Sequence, residues 1–295
     1  MYMKKKFIPA TELPINEDGS VFHLHVKPEQ LADKIILVGD PGRVPILAKH
    51  FNNIECDVQS REFRTITGTY KGKRISCLST GIGCDNIDIV MTELDALVNV
   101  DFQTREVKDE IKQLEIVRIG TSGGLQPYTP LGTYVCSERS IGFDGVLNFY
   151  AGRNDVCDLP MERAFLNHMG WTGTLGAPAS YAIRADEELV NRIAGDDMVR
   201  GITIAANGFY GPQGRDVRMQ PADPNQNEKI ESFEYDGLHI TNFEMESSAI
   251  AGLSKLMGHH ATTVCLIIAN RLIKEMNTSY KNTIDNLIQT VLDRI

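Results

Sequence analysis

No apolar run in this 295-residue chain approaches the roughly 20 residues that a membrane-spanning helix needs. Residues 1–6 are basic, but residues 7–19 supply no apolar core of the kind a signal peptide requires. Positive charge is not in excess either. The chain has 30 Lys and Arg against 39 Asp and Glu, for a net charge of −9. That balance excludes an extended nucleic-acid or anionic-membrane surface, so any anion site must be a local pocket. The six cysteines, Cys56, Cys77, Cys84, Cys136, Cys157 and Cys265, form no C-x-x-C pair and have no His at metal spacing. Most sit in apolar, strand-like segments and read as reduced core thiols of a cytoplasmic protein. Also missing are the P-loop pattern, a complete G-x-G-x-x-G fingerprint, a linker and an internal repeat. What is present is an ordinary globular composition, 42% hydrophobic and 23% charged, in a chain long enough for a sizeable core.

Residues 1–33 are polar and contain proline, and they read as an N-terminal arm. From residue 34 strands and helices alternate, which predicts one α/β domain over 34–295. Residues 34–38 form a short apolar strand, and the stretch after Arg43 is helical. Residues 63–70 and 74–80 are β-like, with a hairpin turn at 71–73. Apolar residues at 87, 90, 91, 94, 97 and 98 make a helical stripe. Strands follow at 115–119 and 133–136, with a Gly/Thr/Pro-rich loop between them. The segment 144–180 is irregular. Residues 187–193 are helical, 201–206 are a strand, and 207–227 are a long polar loop. A strand at 237–243, a helix at 247–257 and a buried strand at 262–269 come next. A helix with apolar positions 284, 287, 288, 291, 292 and 295 closes the chain.

Four segments could carry chemistry. Gly39-Asp40-Pro41-Gly42-Arg43 follows a strand, so its backbone N–H groups and a guanidinium can converge on an anion. Alone, such a stretch is equally an ordinary turn. Arg118-Ile119-Gly120-Thr121-Ser122-Gly123-Gly124 offers a second set of donors, unless Arg118 is a buried arginine paired to an internal carboxylate. Two such loops at strand ends point to a shared anion site. In Phe209…Gln213-Gly214-Arg215, an amide and a guanidinium two residues apart suit the carbonyl and N–H edge of a flat ring. The competing view is a surface loop. Finally, Asn242-Phe243-Glu244-Met245-Glu246-Ser247 puts two carboxylates at a strand-to-helix junction, where open α/β sheets place ligands. There they can hold a vicinal diol, or merely begin a solvated helix.

These segments, in this order, together with Val21-Phe22-His23-Leu24 and Ser60-Arg61-Glu62-Phe63, resemble the nucleoside phosphorylase superfamily and its uridine phosphorylase branch. The resemblance spans about residues 21–271 and is weakest over 144–200. It implies a three-layer α/β/α fold around a mixed, partly barrel-like sheet. It implies a phosphate site of Gly39, Arg43, Arg118 and Thr121, with Arg61 supplied by a neighbouring subunit. Glu246 would hold the ribose hydroxyls, Met245 would pack on the sugar, and a neighbour's His23 would reach the 5′-hydroxyl, the arm lying against that neighbour. Glu244 would partner a phosphate-site arginine. The base would meet Gln213 and Arg215, with Phe209 and Ile268 around the ring and Arg271 nearby. Arg215, Gln213 and Arg118 would carry catalysis.

The implied reaction is phosphorolysis of uridine, or of deoxyuridine or thymidine, to the base and a pentose 1-phosphate in pyrimidine salvage. Phosphate is the co-substrate, and no cofactor, nucleic acid or membrane is involved. The implied assembly is a dimer or a hexamer. The purine branch carries an Asp after the last core strand, and Asn270 is placed at that position, which favours a pyrimidine. Some relatives hold an interface potassium ion. Glu62 and Ile82 match two of its ligands, but Asn86 replaces the third, a serine, which argues against the ion. The alternatives are a purine nucleoside phosphorylase, a nucleosidase that would have little use for the Gly39–Arg43 loop, or a non-catalytic nucleoside-binding relative.

Overall fold

The computed structural model describes residues 7–171 and 180–295. Its first half runs β1 (Lys34–Val38), α1 (Arg43–Ala48), β2 (Asn53–Ser60), β3 (Phe63–Tyr70), β4 (Lys73–Ser79), α2 (Cys84–Asn99) and the short pair β5 (Val100–Asp101) and β6 (Glu106–Val107). Then come β7 (Glu115–Gly124), β8 (Tyr134–Gly142), α3 (Arg153–Val156), α4 (Leu159–Met169), β9 (Tyr181–Arg184), α5 (Glu187–Ala194) and β10 (Val199–Ala205). The chain ends with α6 (Gln226–Ser232), β11 (Glu234–Tyr235), β12 (Leu238–Glu244), α7 (Ser247–Met257), β13 (His260–Asn270), β14 (Glu275–Met276) and α8 (Lys281–Arg294).

One mixed sheet follows the order β11-β12-β10-β8-β13-β7-β1-β4-β3-β2. β12 also pairs back onto β7, Asn242 against Gly124 and Phe243 against Gly123. β7, β13, β8, β10 and β12 therefore close on themselves, and β1, β4, β3 and β2 extend from that barrel as a wing. β1 lies parallel to both β4 and β7, so its Ile-Ile-Leu-Val run is buried on two faces. Ile36 and Val38 enter the core beneath α1, α5 and α8, whereas Ile35 and Leu37 enter the one beneath α2 and α7. A third cluster packs α4 and α6 on β10 and β12. Helices thus cover both faces of a mixed, partly barrel-like sheet, as expected from the sequence. No described helix is long and apolar enough to cross a membrane.

The stripe at 87–98 is the buried face of α2, and the closing helix buries Ile284, Leu287, Ile288, Val291 and Leu292. Other expectations need correction. The arm is not wholly peripheral, because Val21, Leu24, Val26 and Leu31 are buried in the same core as α2. β7 does not stop at Ile119 before a loop. It continues to Gly124, paired along β13 and, at its end, with β12. β2 went unforeseen, and the segment read as irregular contains α3 and α4. The rest of that segment, residues 172–179, lies outside the described residues.

Candidate active-site cleft

A cavity of about 820 Å³ opens at the carboxyl ends of β1, β7, β12 and β13. This is the position where chain reversals in an α/β sheet leave a ligand crevice. One wall is the turn after β1. Gly39 and Gly81 approach so closely there that a Cβ on Gly39 would lie 3.4 Å from the Gly81 carbonyl. Arg43, in the first turn of α1, is buried, its Nη1 donates to the Ile119 carbonyl at 3.4 Å, and it has no carboxylate partner among the described residues. A buried guanidinium lining a cleft without a counterion among the described residues has the charge to attract an anion. Thr121 lines the same region.

The two carboxylates form the floor. Glu244 and Glu246 are 3% and 2% exposed, which rules out the solvated-helix reading. Arg118 lies between them. Its Nη1 is 3.3 Å from Glu244 Oε2, and its Nη2 is bonded to Glu246 Oε2. Arg118 is thus the buried, internally paired arginine of the competing reading, and its side chain also lines the cleft. Its side chain runs back over Gly120, where a Cβ would stand 2.2 Å from Nη1. Residues two apart share a strand face, so only glycine at 120 leaves room for the guanidinium. Glu244 also accepts from the Glu246 N–H at 2.9 Å and from Ser247 N–H and Oγ at 3.0 and 2.6 Å, fastening the start of α7. Glu246 Oε1 accepts from Gly83 N–H at 2.8 Å, at the start of α2. Burial pushes the Glu244 carboxyl up to about 7, against the pull of Arg118 and with the added push of Glu246. For Arg118, burial acts downward, but the two carboxylates outweigh it and hold the guanidinium firmly charged.

At the far end Arg215 stacks on Phe209, with its guanidinium carbon 3.7 Å from the ring centroid, and donates to Gln213 Oε1 at 2.6 Å. Arg271 donates to the Gln213 carbonyl, and its Nη2 reaches Oε1 at 3.5 Å. A guanidinium only donates, so both contacts fix which amide atom of Gln213 is the oxygen. Burial lowers both arginines, Arg271 to about 10 with Arg215 adding to the effect. Ile268, Met276 and Tyr280 complete this end, and neither they nor segment 209–215 bring a carboxylate.

The cleft thus gathers Gly39, Arg43, Arg118, Thr121, Phe209, Gln213, Arg215, Glu244, Met245, Glu246 and Ile268. Arg271 sits behind Gln213 rather than in the lining. His23 and Arg61 lie outside this chain's own cleft. His23 Nδ1 pairs with Glu93 at 2.6 Å, and Arg61 lies 5.8 Å from the ring of Phe22. Asn270 also needs correction. Its amide nitrogen donates to the carbonyls of Gln126 and Thr129, and its oxygen accepts from Leu272 N–H, so it is spent on backbone and does not line the cleft. Glu62, Ile82 and Asn86 do meet at the rim, but Asn86 Nδ2 donates to Glu62 Oε1 at 3.2 Å. That amide takes one oxygen of the Glu62 carboxylate, and it stands where the resemblance calls for a serine. The sequence reading missed Met276 and Tyr280, which carry no local signal, and the hold of Gly83 N–H on Glu246.

The phosphorylase superfamily profile matches residues 33–293. A uridine phosphorylase of Thermococcus kodakarensis is 30% identical over 281 residues, covering 92% of this chain and 85% of that protein. A DeoD-type purine nucleoside phosphorylase of Geobacillus stearothermophilus is 26% identical over 274 residues, covering 92% and 97%. The crystal structure of a Trypanosoma brucei nucleoside phosphorylase that shows uridine phosphorylase activity matches with a TM-score of 0.85 at 30% identity. That match covers 96% of this chain and 100% of the other.

Proposed function

The chain belongs to the phosphorylase superfamily, and from that premise we propose that it catalyses the reversible phosphorolysis of uridine to uracil and ribose 1-phosphate. The observation that carries this reading is a single cleft joining three chemistries. Among the described residues, an arginine without a carboxylate partner lies at one end, a carboxylate pair on the floor, and an amide–guanidinium edge without an acid at the other.

The glycosidic bond stretches and leaves oxocarbenium character on the sugar. Phosphate held by Arg43 and Arg118 stabilises that charge and attacks the anomeric carbon, so no side-chain nucleophile is required. The departing base gathers negative charge on its carbonyl oxygens. Donors from Gln213 and Arg215 then bind the transition state more tightly than the substrate. A purine leaving through N7 would need a proton donor at this end, and among the described residues the base-end lining provides no carboxylic acid. That composition, rather than Asn270, favours a pyrimidine over the reaction named for the DeoD-type relatives. Deoxyuridine and thymidine present the same base edge and belong to the same substrate class.

Phe22, His23 and Arg61 cluster on a surface away from the chain's own cleft. We read that surface as facing a second copy and completing its phosphate and ribose subsites, in at least a dimer. Six free thiols support a reducing, cytoplasmic setting, and the proposed reaction would place the protein in pyrimidine salvage. The test is uracil release from uridine with and without phosphate, with inosine alongside. Release only with phosphate is expected. Faster cleavage of inosine would overturn the base assignment, and equal release without phosphate would make the protein a nucleosidase.

A further inference from the structure

Arg118 and the two glutamates are not equivalent partners. The Glu244 oxygens are committed to the Glu246 N–H, the Ser247 N–H and the Ser247 hydroxyl, contacts that also begin α7. Glu244 is therefore a fixed anchor for Arg118 Nη1, 3.3 Å away. Glu246 takes one donor on each oxygen, Gly83 N–H on Oε1 and Arg118 Nη2 on Oε2. A carboxylate has room for about four donors, so Glu246 keeps capacity that Glu244 has used. Arg118 Nε, on a side chain that lines the cleft and is 5% exposed overall, has no acceptor among the described residues. A buried donor without a partner is costly, and here it points to an acceptor that arrives with a ligand.

An oxyanion satisfying Nε would bind most strongly by taking Nη2 as well, as guanidinium–phosphate pairs do. It would then compete with Glu246 for that nitrogen. Glu246, buried and stripped of its counterion, would next need donors, and the two hydroxyls of a ribose supply them. The same exchange runs in reverse when the nucleoside arrives first. We infer that the Arg118–Glu246 pair is a latch between the phosphate and nucleoside subsites, opened once by whichever substrate binds first, so that the two bind with positive cooperativity. The first ligand meets the cost of separating the pair and the second does not, and linkage makes the gain reciprocal.

This inference rests on the reading of the cleft as a site for phosphate and uridine. Inorganic sulfate serves as the unreactive oxyanion, and competitive inhibition against phosphate would place it in the anion subsite. Calorimetric titration of uridine should give a Kd at least about tenfold lower with saturating sulfate, and sulfate should tighten equally with saturating uridine. With phosphate itself, the KM for uridine should fall as phosphate rises. Arg118→Lys offers one ammonium where two nitrogens now serve, so the coupling factor should drop towards one in a variant whose melting transition shows it folded. Normal phosphorolysis with a uridine Kd unchanged by sulfate and a KM unchanged by phosphate would overturn the latch and leave the activity standing. So would full coupling in Arg118→Lys. Absence of phosphate-dependent uridine cleavage would instead overturn the activity on which the latch rests.

Discussion

At the scale of single residues, the sequence shows which groups are present but not what each one faces. The pair Glu244 and Glu246 was legible as a candidate diol clamp because of its place between a strand and a helix. Its pairing with a phosphate-site arginine came only from the resemblance, and the use of Glu244 by Ser247 was not foreseen, because that contact depends on how α7 leaves β12. Asn270 shows the reverse error. A residue at the right distance along the chain was assigned a place in the site, yet its side chain turns away to bond the backbone near Gln126. Glu244 has a measurable signature. Its carboxyl is raised from 4.5 to about 7, chiefly by burial. Between those values the folded chain holds a proton that the unfolded chain has released. The stability this group contributes is therefore complete below about pH 4.5 and lost as pH rises through about 7. Thermal melts without phosphate should fall more steeply from pH 5 to pH 8 in the wild type than in Glu244→Gln, whose amide does not titrate. Identical slopes would show that the Glu244 carboxyl is ordinary.

At the scale of elements, legibility followed burial pattern. α2 and α8 were readable because one apolar stripe faces one core, and β1 because it is apolar on both sides. β2 was missed although Ile54, Cys56 and Val58 alternate with Asn53, Glu55, Asp57 and Gln59, the period-two pattern of an exposed edge strand with no apolar run to mark it. α4 had a usable signal in the Asp158 cap and in Met161, Phe165 and Met169 one turn apart. The end of β7 was not readable from its local sequence alone. Its glycines and hydroxyls from 120 to 124 look like a loop, and only pairing with β12 and β13 makes them a strand. The strand also explains its glycine. Alanine at 120 would bring a Cβ to 2.2 Å from Arg118 Nη1 and 3.1 Å from Cys265 Sγ. Gly120→Ala should displace the guanidinium, cost about 1–3 kcal/mol in stability and raise the KM for phosphate on the order of tenfold. Gly123→Ala, whose nearest contact would be 3.9 Å away, should stay within about 0.5 kcal/mol of wild type. A phosphate KM unchanged in Gly120→Ala would remove Arg118 from the phosphate site.

At the scale of the whole molecule, closure of the barrel decides the site. When β12 returns to β7, Glu244 and Glu246 reach Arg118, residues 126–128 positions apart in the chain. No local pattern encodes that meeting. The single chain also leaves something over, because Arg61 and His23 do not line its own cleft and the resemblance gives them to a neighbour's. A shared site accounts for this, and it can be tested by mixing two crippled subunits. Arg61→Ala removes the group given to a neighbour, and Arg215→Ala removes a group kept at home. In a two-fold dimer of the two variants, one cleft carries both lesions and the other carries neither. Random reassortment makes half of the dimers mixed, so co-refolding should restore about a quarter of wild-type activity, while each variant alone stays low. If the mixture stays as inactive as its parts, with both variants folded and exchanging subunits, each cleft is complete within its own chain. Arg61 would then act from the position it occupies here, beside Phe22.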